Sequence, residues 1–376
     1  MLEVLLPCSQ IVFIVTNCQQ KTMPMSRLAL PNDPNKIDTE WLTRMLNDAG
    51  FDGHVSQFSS ESIGTGQVGE NVRFTLQGSG DLPASVVGKF PSADPISRQA
   101  GIDMLNYRRE VHFYQELQDK VKIQTPIVYH ADIDNDSHNF VLMMEDLSPG
   151  LQGDQLAGCN IELAQLAMKQ IAHLHGPVWG ETSLSHELIT RSAGNGETLK
   201  ALYDAVSPGF LSRYANRLTK AEKNMVGLVG ENLIAYATNY KGPDTLIHID
   251  YRLDNMMFGG PYPLTVIDWQ SISHGCGLND VSYFVGTSID TSARAENDEY
   301  LLREYYKELS NYNVGLSWDE CWKYYRHNAP AGLIMAVVAS MIVGETKRGN
   351  DMFMVMTHRS AKMCQELDAI EVIKQG

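Results

Sequence analysis

Two stretches carry residue types that could move a phosphoryl group. The first is His248-Ile249-Asp250-Tyr251-Arg252-Leu253-Asp254-Asn255, and the second is Val266-Ile267-Asp268-Trp269. Phosphoryl transfer needs a carboxylate beside the attacking hydroxyl, hard oxygen ligands for Mg²⁺ and a held triphosphate. Asp250 and Asn255 have the H-x-D-x-x-x-x-N spacing that puts a base and a metal ligand on one loop. Asp268 ends an apolar run thirteen residues beyond Asn255, with Gly259-Gly260-Pro261 as the intervening turn. Asn255 and Asp268 therefore read as the metal ligands, because Mg²⁺ prefers carboxylate, carbonyl and water oxygens in octahedral array. Taken singly, each aspartate is as easily a turn or capping carboxylate; the order and spacing of the set point to chemistry.

Upstream, Gly64-Thr65-Gly66-Gln67-Val68-Gly69 matches G-x-G-x-x-G. A dinucleotide-binding turn has the same pattern but opens a helix, whereas Val72 to Leu76 alternates like a strand. A glycine loop folded over nucleotide phosphates, through Gly64, Gly66 and Gly69, fits that context, and a plain flexible hairpin is the alternative. Lys89 ends the apolar strand Val86-Val87-Gly88-Lys89-Phe90 and could reach the phosphates. It needs an acid to orient it. Glu110 is the candidate, with Glu116 as rival nearly half a helical turn round.

These residues need elements to hold them. Asp38 to Ala49 reads as a helix, Ser56 to Leu76 as two strands around the glycine turn, and Ala84 to Phe90 as a third strand. Ser97 to Val121 reads as one long helix; Ile127 to Ala131 and Phe140 to Met144 read as two more strands. After Glu145-Asp146-Leu147-Ser148-Pro149-Gly150 the period changes to helical. Ile161 to His175 has Asn160 as its N-cap, short apolar runs follow at Thr245 to Ile249 and Leu264 to Trp269, and helices occupy most of Glu296 to Ile373. Within that last stretch, Ser317 and Glu320 form a capping box, and Ala331 to Val343 reads as a buried core helix. The fold class is α+β with two lobes. Residues 1–25 are a tail or start-site extension, 26–146 a β-rich nucleotide-binding lobe with one long helix, and 147–376 a mainly helical catalytic and substrate-binding lobe.

Bulk properties narrow the partners. The chain has 376 residues, 43% of them apolar, and a formal net charge of −15. That charge disfavours nucleic acid and anionic membranes. Leu2 to Val15 is apolar but interrupted and too short to span a bilayer. Six scattered cysteines, none at C-x-x-C spacing, fit a reduced cytoplasmic setting.

With these motifs in place, the sequence resembles the aminoglycoside phosphotransferase and choline kinase superfamily, which has a protein-kinase-like fold. It is most similar to the ecdysteroid-kinase-like branch. The matching stretches include Tyr107-Arg108-Arg109-Glu110, Glu145-Asp146-Leu147, Gly153 to Gly158, His248 to Phe258, Val266 to Gln270 and Asp280 to Phe284. The resemblance implies a small-molecule hydroxyl kinase using ATP and Mg²⁺. In it Asp250 is the catalytic base, Asn255 and Asp268 hold metal, Lys89 meets phosphates, and Glu110 pairs with Lys89. The backbone from Glu145 to Leu147 meets the adenine, and Asp280 braces the catalytic loop. One departure stands out: the family usually has glycine where this chain has Ile249. A nucleotide-binding module without transfer activity is the alternative this departure raises. A protein kinase is a further one, opposed by Asp268-Trp269-Gln270 in place of Asp-Phe-Gly and by the lack of an Ala-Pro-Glu motif.

Overall fold

The computed structural model describes residues 28–64, 68–191 and 196–376. The expected tail at residues 1–25 and Gly66 lie outside the described residues. Helix α1 (Thr39–Asp48) starts where the Asp38 carboxylate accepts from Trp41 N. An antiparallel five-stranded sheet follows. It is built from β1 (Gly53–Ile63), β2 (Gly69–Gly80), β3 (Ser85–Pro91), β4 (Val128–Ile133) and β5 (Phe140–Glu145), in the order β1-β2-β3-β5-β4.

The alternation of β5 shows how the sheet is covered. Val141 and Met143 face α1 and pack with Trp41, Leu42, Met45 and Leu46. Phe140 and Leu142 face the other way, toward Tyr107, Val111 and Phe113. A strand buried on both faces reads as an unbroken apolar run, which is what Phe140-Val141-Leu142-Met143 is. In β3, Phe90 belongs to the α1 face, so its neighbour Lys89 points to the opposite face.

The long helix expected over Ser97 to Val121 is broken. Helix α2 (Pro95–Asp103) ends at Met104, and Leu105 turns the chain with φ +59° before α3 (Asn106–His112) begins. Beyond α3 the coil widens into a π turn over Phe113–Leu117 and closes as a 3₁₀ turn over Gln118–Lys120. No glycine or proline marks the break at Leu105, and an αL turn on an ordinary residue leaves no periodic signature.

The second half is helical. Helices α4 (Ile161–His175), α5 (Glu197–Arg213) and α6 (Lys220–Thr238) precede the catalytic stretch, and α7 (Leu278–Ser288), α8 (Thr291–Ser310), α9 (Trp318–His327), α10 (Ala331–Ile342), α11 (Lys347–Glu366) and α12 (Ala369–Gln375) follow it. The expected caps are present: Asn160 on α4, and the Ser317–Glu320 box on α9. Two small antiparallel sheets frame the catalytic stretch. One joins β6 (Leu151–Gln152), β8 (Met256–Phe258) and β9 (Leu264–Val266); the other joins β7 (Thr245–Ile247) and β10 (Ser273–Gly275). Among the described residues no helix is long and apolar enough to cross a membrane.

Candidate active site

Lys89 joins the two halves of the molecule. Its Nζ lies 2.8 Å from Glu110 Oε1 on α3 and 3.0 Å from Asp268 Oδ1. The lysine is 9% exposed and Glu110 2%, so this is a buried ion cluster and not a solvated pair. Burial by itself would strip the lysine's proton, but the two carboxylates outweigh it and hold the ammonium well above its ordinary range. Burial pushes the Glu110 carboxyl up, against the pull of Lys89. Glu110, not the rival Glu116, is the acid within reach. Gly69 sits beside this lysine: a Cβ there would stand 3.2 Å from Lys89 Cε and from the Phe90 carbonyl oxygen. Gly64, at the other end of the turn, has φ +74°. Glycine lets β2 pass close to the lysine at Gly69 and takes the positive φ at Gly64 without strain.

Helix α3 is fixed by two sets of contacts. Phe113, just past it, stacks on Trp269 with ring centroids 3.8 Å apart and planes 3° from parallel. The segment 186–191 supplies the second set of contacts. Arg109 Nε donates to the Leu188 carbonyl, Arg108 pairs with Glu187, and His112 stacks on His186 at 4.9 Å. That segment is tied down in turn, since Ser273 Oγ and His274 N both donate to the Thr190 carbonyl.

The loop 248–255 leaves β7 at His248. The Asp280 carboxylate accepts from His248 N at 2.6 Å and from Ile249 N at 2.9 Å, and His175 Nε2 lies 3.3 Å away. Fully buried at the start of α7, Asp280 thus holds two successive backbone N–H groups. Directly after them the chain takes an unusual turn, with Ile249 at φ +71°. Glycine would adopt that φ freely, and a β-branched residue pays for it.

Asp250 is bound by three donors. Arg252 Nε and Tyr283 Oη approach Oδ1 at 2.8 and 2.9 Å, and Asn255 Nδ2 approaches Oδ2 at 2.9 Å. Burial raises its pKa, but the Arg252 charge, with His248 and these hydrogen bonds, outweighs it and holds the carboxyl below the usual range. Asn255 spends both amide hydrogens on Asp250, the second on its backbone carbonyl at 2.8 Å. Its own amide oxygen is left without a donor among the described residues. A second thread joins the two motifs: Ile267 N donates to the Asn255 carbonyl at 3.0 Å.

These residues fit a hard divalent cation. The free Asn255 oxygen and the Asp268 carboxylate are oxygen donors on adjoining segments. Among the described residues no group of three or more His, Cys, Asp or Glu side chains is arranged as a metal site. Phosphate oxygens and water would therefore complete the shell, the usual arrangement for Mg²⁺.

At the hinge, Glu145 N donates to the Ile127 carbonyl, and its side chain accepts from Ile127 N at 2.7 Å. Leu147 is buried, its carbonyl accepts from Gly150 N, and its N–H has no partner among the described residues. A nucleobase edge needs such a backbone donor. Asp146 clamps the hinge to the sheet through Arg73 of β2 at 2.6 Å and Ser85 of β3 at 2.7 Å.

Sequence reading missed the supports on the far side of the loop. Asp254 accepts from Arg252, from both terminal nitrogens of Arg348 on α11, and from Gln155 N. Gln155 Oε1 accepts from Leu253 N. Arg252 lies two residues from Asp250, yet nothing in the spacing told which carboxylate it meets. Arg348 is distant in sequence and left no local signal, and Tyr283 stood out only within the stretch of resemblance Asp280 to Phe284, which did not say that its hydroxyl meets Asp250.

The comparisons follow this geometry. The model of the ecdysteroid kinase-like family matches residues 72–316, well over half of the chain. Among solved structures, a GDP-bound mutant of aminoglycoside 2'-phosphotransferase-IIIa aligns with TM-score 0.51 and 14% identity, over 90% of this chain and 99% of that one. A macrolide 2'-phosphotransferase from Brachybacterium faecium aligns with TM-score 0.48 and 14% identity, over 85% of this chain and 97% of that one. At such identities the likeness is one of fold. No curated protein matches the sequence. The chain belongs to the ecdysteroid kinase-like family, and its α+β fold is the two-lobed, protein-kinase-like fold of the small-molecule phosphotransferases.

Proposed function

We propose that this protein is an ATP- and Mg²⁺-dependent phosphotransferase that moves the γ-phosphate to a hydroxyl of a small molecule, with Asp250 as catalytic base. Residues 26–146 serve as the nucleotide-binding lobe and 147–376 as the catalytic and substrate-binding lobe. The observation that carries the reading is the buried Lys89–Glu110–Asp268 cluster, tied through the Ile267 N–H to Asn255 carbonyl bond to the braced pair Asp250 and Asn255. Such a set positions a triphosphate and an attacking hydroxyl, which is most of what phosphoryl transfer requires.

In this reading the nucleobase meets the hinge at Glu145 and Leu147. The turn carrying Gly64, Gly66 and Gly69 covers the phosphates. Lys89, held by Glu110, turns its ammonium to them. Asn255 and Asp268 would hold Mg²⁺, which would supply positive charge against the triphosphate. Asp250 accepts the acceptor's proton as its oxygen bonds to the γ-phosphorus and the bond from that phosphorus to the β–γ bridging oxygen breaks. The products are ADP and a phosphate monoester.

The short path after Asp268 favours a small acceptor over a protein. A 3₁₀ turn (Trp269–Ser271) and β10 lead straight to α7 at Leu278, which leaves no length for a peptide-docking segment. Four described cysteines, Cys159, Cys276, Cys321 and Cys364, are free, consistent with work in the reducing cytoplasm where ATP is plentiful. A nucleotide-binding module without transfer is the second reading, favoured by the φ of Ile249.

The test is Mg²⁺-dependent ADP release across a panel of sterols, amino alcohols, aminoglycosides and sugars, with Asp250→Asn as control. Acceptor-dependent release that falls about 10²–10⁴-fold in the variant supports the kinase. Wild-type turnover in Asp250→Asn would remove Asp250 from the chemistry. ATP binding without release from any acceptor would favour the second reading.

A further inference from the structure

A carboxylate has four lone-pair places, two on each oxygen. On Asp250, Arg252 Nε and Tyr283 Oη take both places on Oδ1, and Asn255 Nδ2 takes one on Oδ2. One place remains, and it is on Oδ2. We propose that Tyr283 and Arg252 are positioning residues that saturate Oδ1, so that the acceptor hydroxyl can address Asp250 only at the free place on Oδ2. The inference rests on the reading of Asp250 as the base.

The two donors are built as one unit. The Tyr283 ring is fully buried in an apolar cluster with Ala331, Met352, Phe353 and Met356. Met352 of that cluster also accepts from Arg252 Nη1 at 3.3 Å. Thus α7, through the tyrosine, and α11, through the methionine, fix both groups on the same oxygen. Burial, with the Asp250 charge, holds the tyrosine well above its ordinary pKa, so it stays a donor at every working pH. The charged and titratable groups around the aspartate are few: His248 and Arg252 on its own loop, Tyr283 from α7, and Asp254 with Arg348 behind Arg252.

Saturation has a kinetic meaning. An anionic base with two open oxygens holds a hydroxyl in two poses, and only one of them lines up with the γ-phosphorus. Misplacement by about 1 Å can cost about 100-fold in rate. Closing Oδ1 removes the unproductive pose. It does so without touching the acceptor, so reopening Oδ1 lowers kcat and cannot raise KM.

The experiment compares wild type, Tyr283→Phe, Arg252→Lys and Asp250→Asn in the ADP-release assay, using the best acceptor of the panel, or water where none responds. Tyr283→Phe keeps the ring in its cluster and removes only the hydroxyl. We expect kcat to fall about 10-fold and the acceptor KM to stay level or drop. Arg252→Lys keeps a charge but cannot serve Asp250 and Asp254 together, so it should lie between wild type and the inactive aspartate variant. Tyr283→Phe with kcat within twofold of wild type would overturn the inference, even where Asp250→Asn is inactive. A fall in kcat accompanied by a rise in the acceptor KM would make Tyr283 merely structural and overturn it equally. Activity in Asp250→Asn, or no ADP release from wild type with any acceptor or water, would instead strike at the base reading on which it stands.

Discussion

Replacing Ile249 with glycine should leave stability almost unchanged, which is not the usual fate of an isoleucine so treated. At φ +71° a side chain bearing Cβ pays about 1–2 kcal/mol, which glycine recovers. Against this, glycine frees the unfolded chain at a cost of about 0.5–1 kcal/mol. Ile249 is half-buried, so losing its side chain costs about 1 kcal/mol, the lower part of the range for apolar burial. The sum is near zero. Ile249→Ala keeps the strained backbone and loses the packing, so it should fall about 1 kcal/mol below wild type, leaving glycine more stable than alanine at this position. Ile272 supplies the contrast, being fully buried with φ −47°. Ile272→Gly should cost about 2–5 kcal/mol from the cavity alone. Urea unfolding followed by circular dichroism measures all three. The reasoning is refuted if Ile249→Gly loses more than about 2 kcal/mol, or if alanine outlasts glycine there. Transfer activity in Ile249→Gly should equal or exceed wild type, because Asp280 still holds the two N–H groups that lead into the turn.

Three further outcomes follow from the same geometry. Lys89→Met leaves Glu110 and Asp268 without their shared cation; it should lower the unfolding free energy by about 3–5 kcal/mol and abolish ATP-dependent turnover, read by urea titration and ADP release. Asp280→Asn offers one acceptor where two N–H groups wait, so it should destabilise by about 1–3 kcal/mol and cut kcat while ATP affinity, measured by calorimetry, holds. Asp146 is held down to about 2: burial opposes this, but Arg73 and Ser85 prevail. Its folded pKa lies below the unfolded value of about 3.9, so its stabilisation is present above pH ~4 and drains away as pH falls toward 2. Asp146→Asn should therefore flatten the acid side of the stability curve between those limits and leave the neutral side parallel.

Much of the cleft was legible because its residues are short-range in sequence. Asp250, Asn255 and Asp268 lie within one loop-and-hairpin unit, so spacing alone names them. The Lys89–Glu110 pair was legible through periodicity, since strand alternation turns Lys89 away from the Phe90 face and toward α3. The strand Phe140 to Met144 and the caps Asn160 and Ser317 were legible for the same local reasons. What escaped was long-range or conformational. The kink at Leu105 carries no special residue. Arg348 and Tyr283 reach the catalytic loop from helices whose own sequence only reads as amphipathic or buried. Segment 186–191 looks like an ordinary connection until its contacts with α3 are seen.

The double anchorage of α3 carries a consequence for how such an enzyme would be governed. In kinases that respond to signals, the helix bearing the lysine's partner is free to swing, and activation consists of bringing it home. Here Phe113 is held on Trp269 and Arg109 on the Leu188 carbonyl. On the proposed reaction, swinging α3 away would first have to break both contacts, so Glu110 would stay with Lys89 without an activating signal, and throughput would answer to the supply of protein and acceptor.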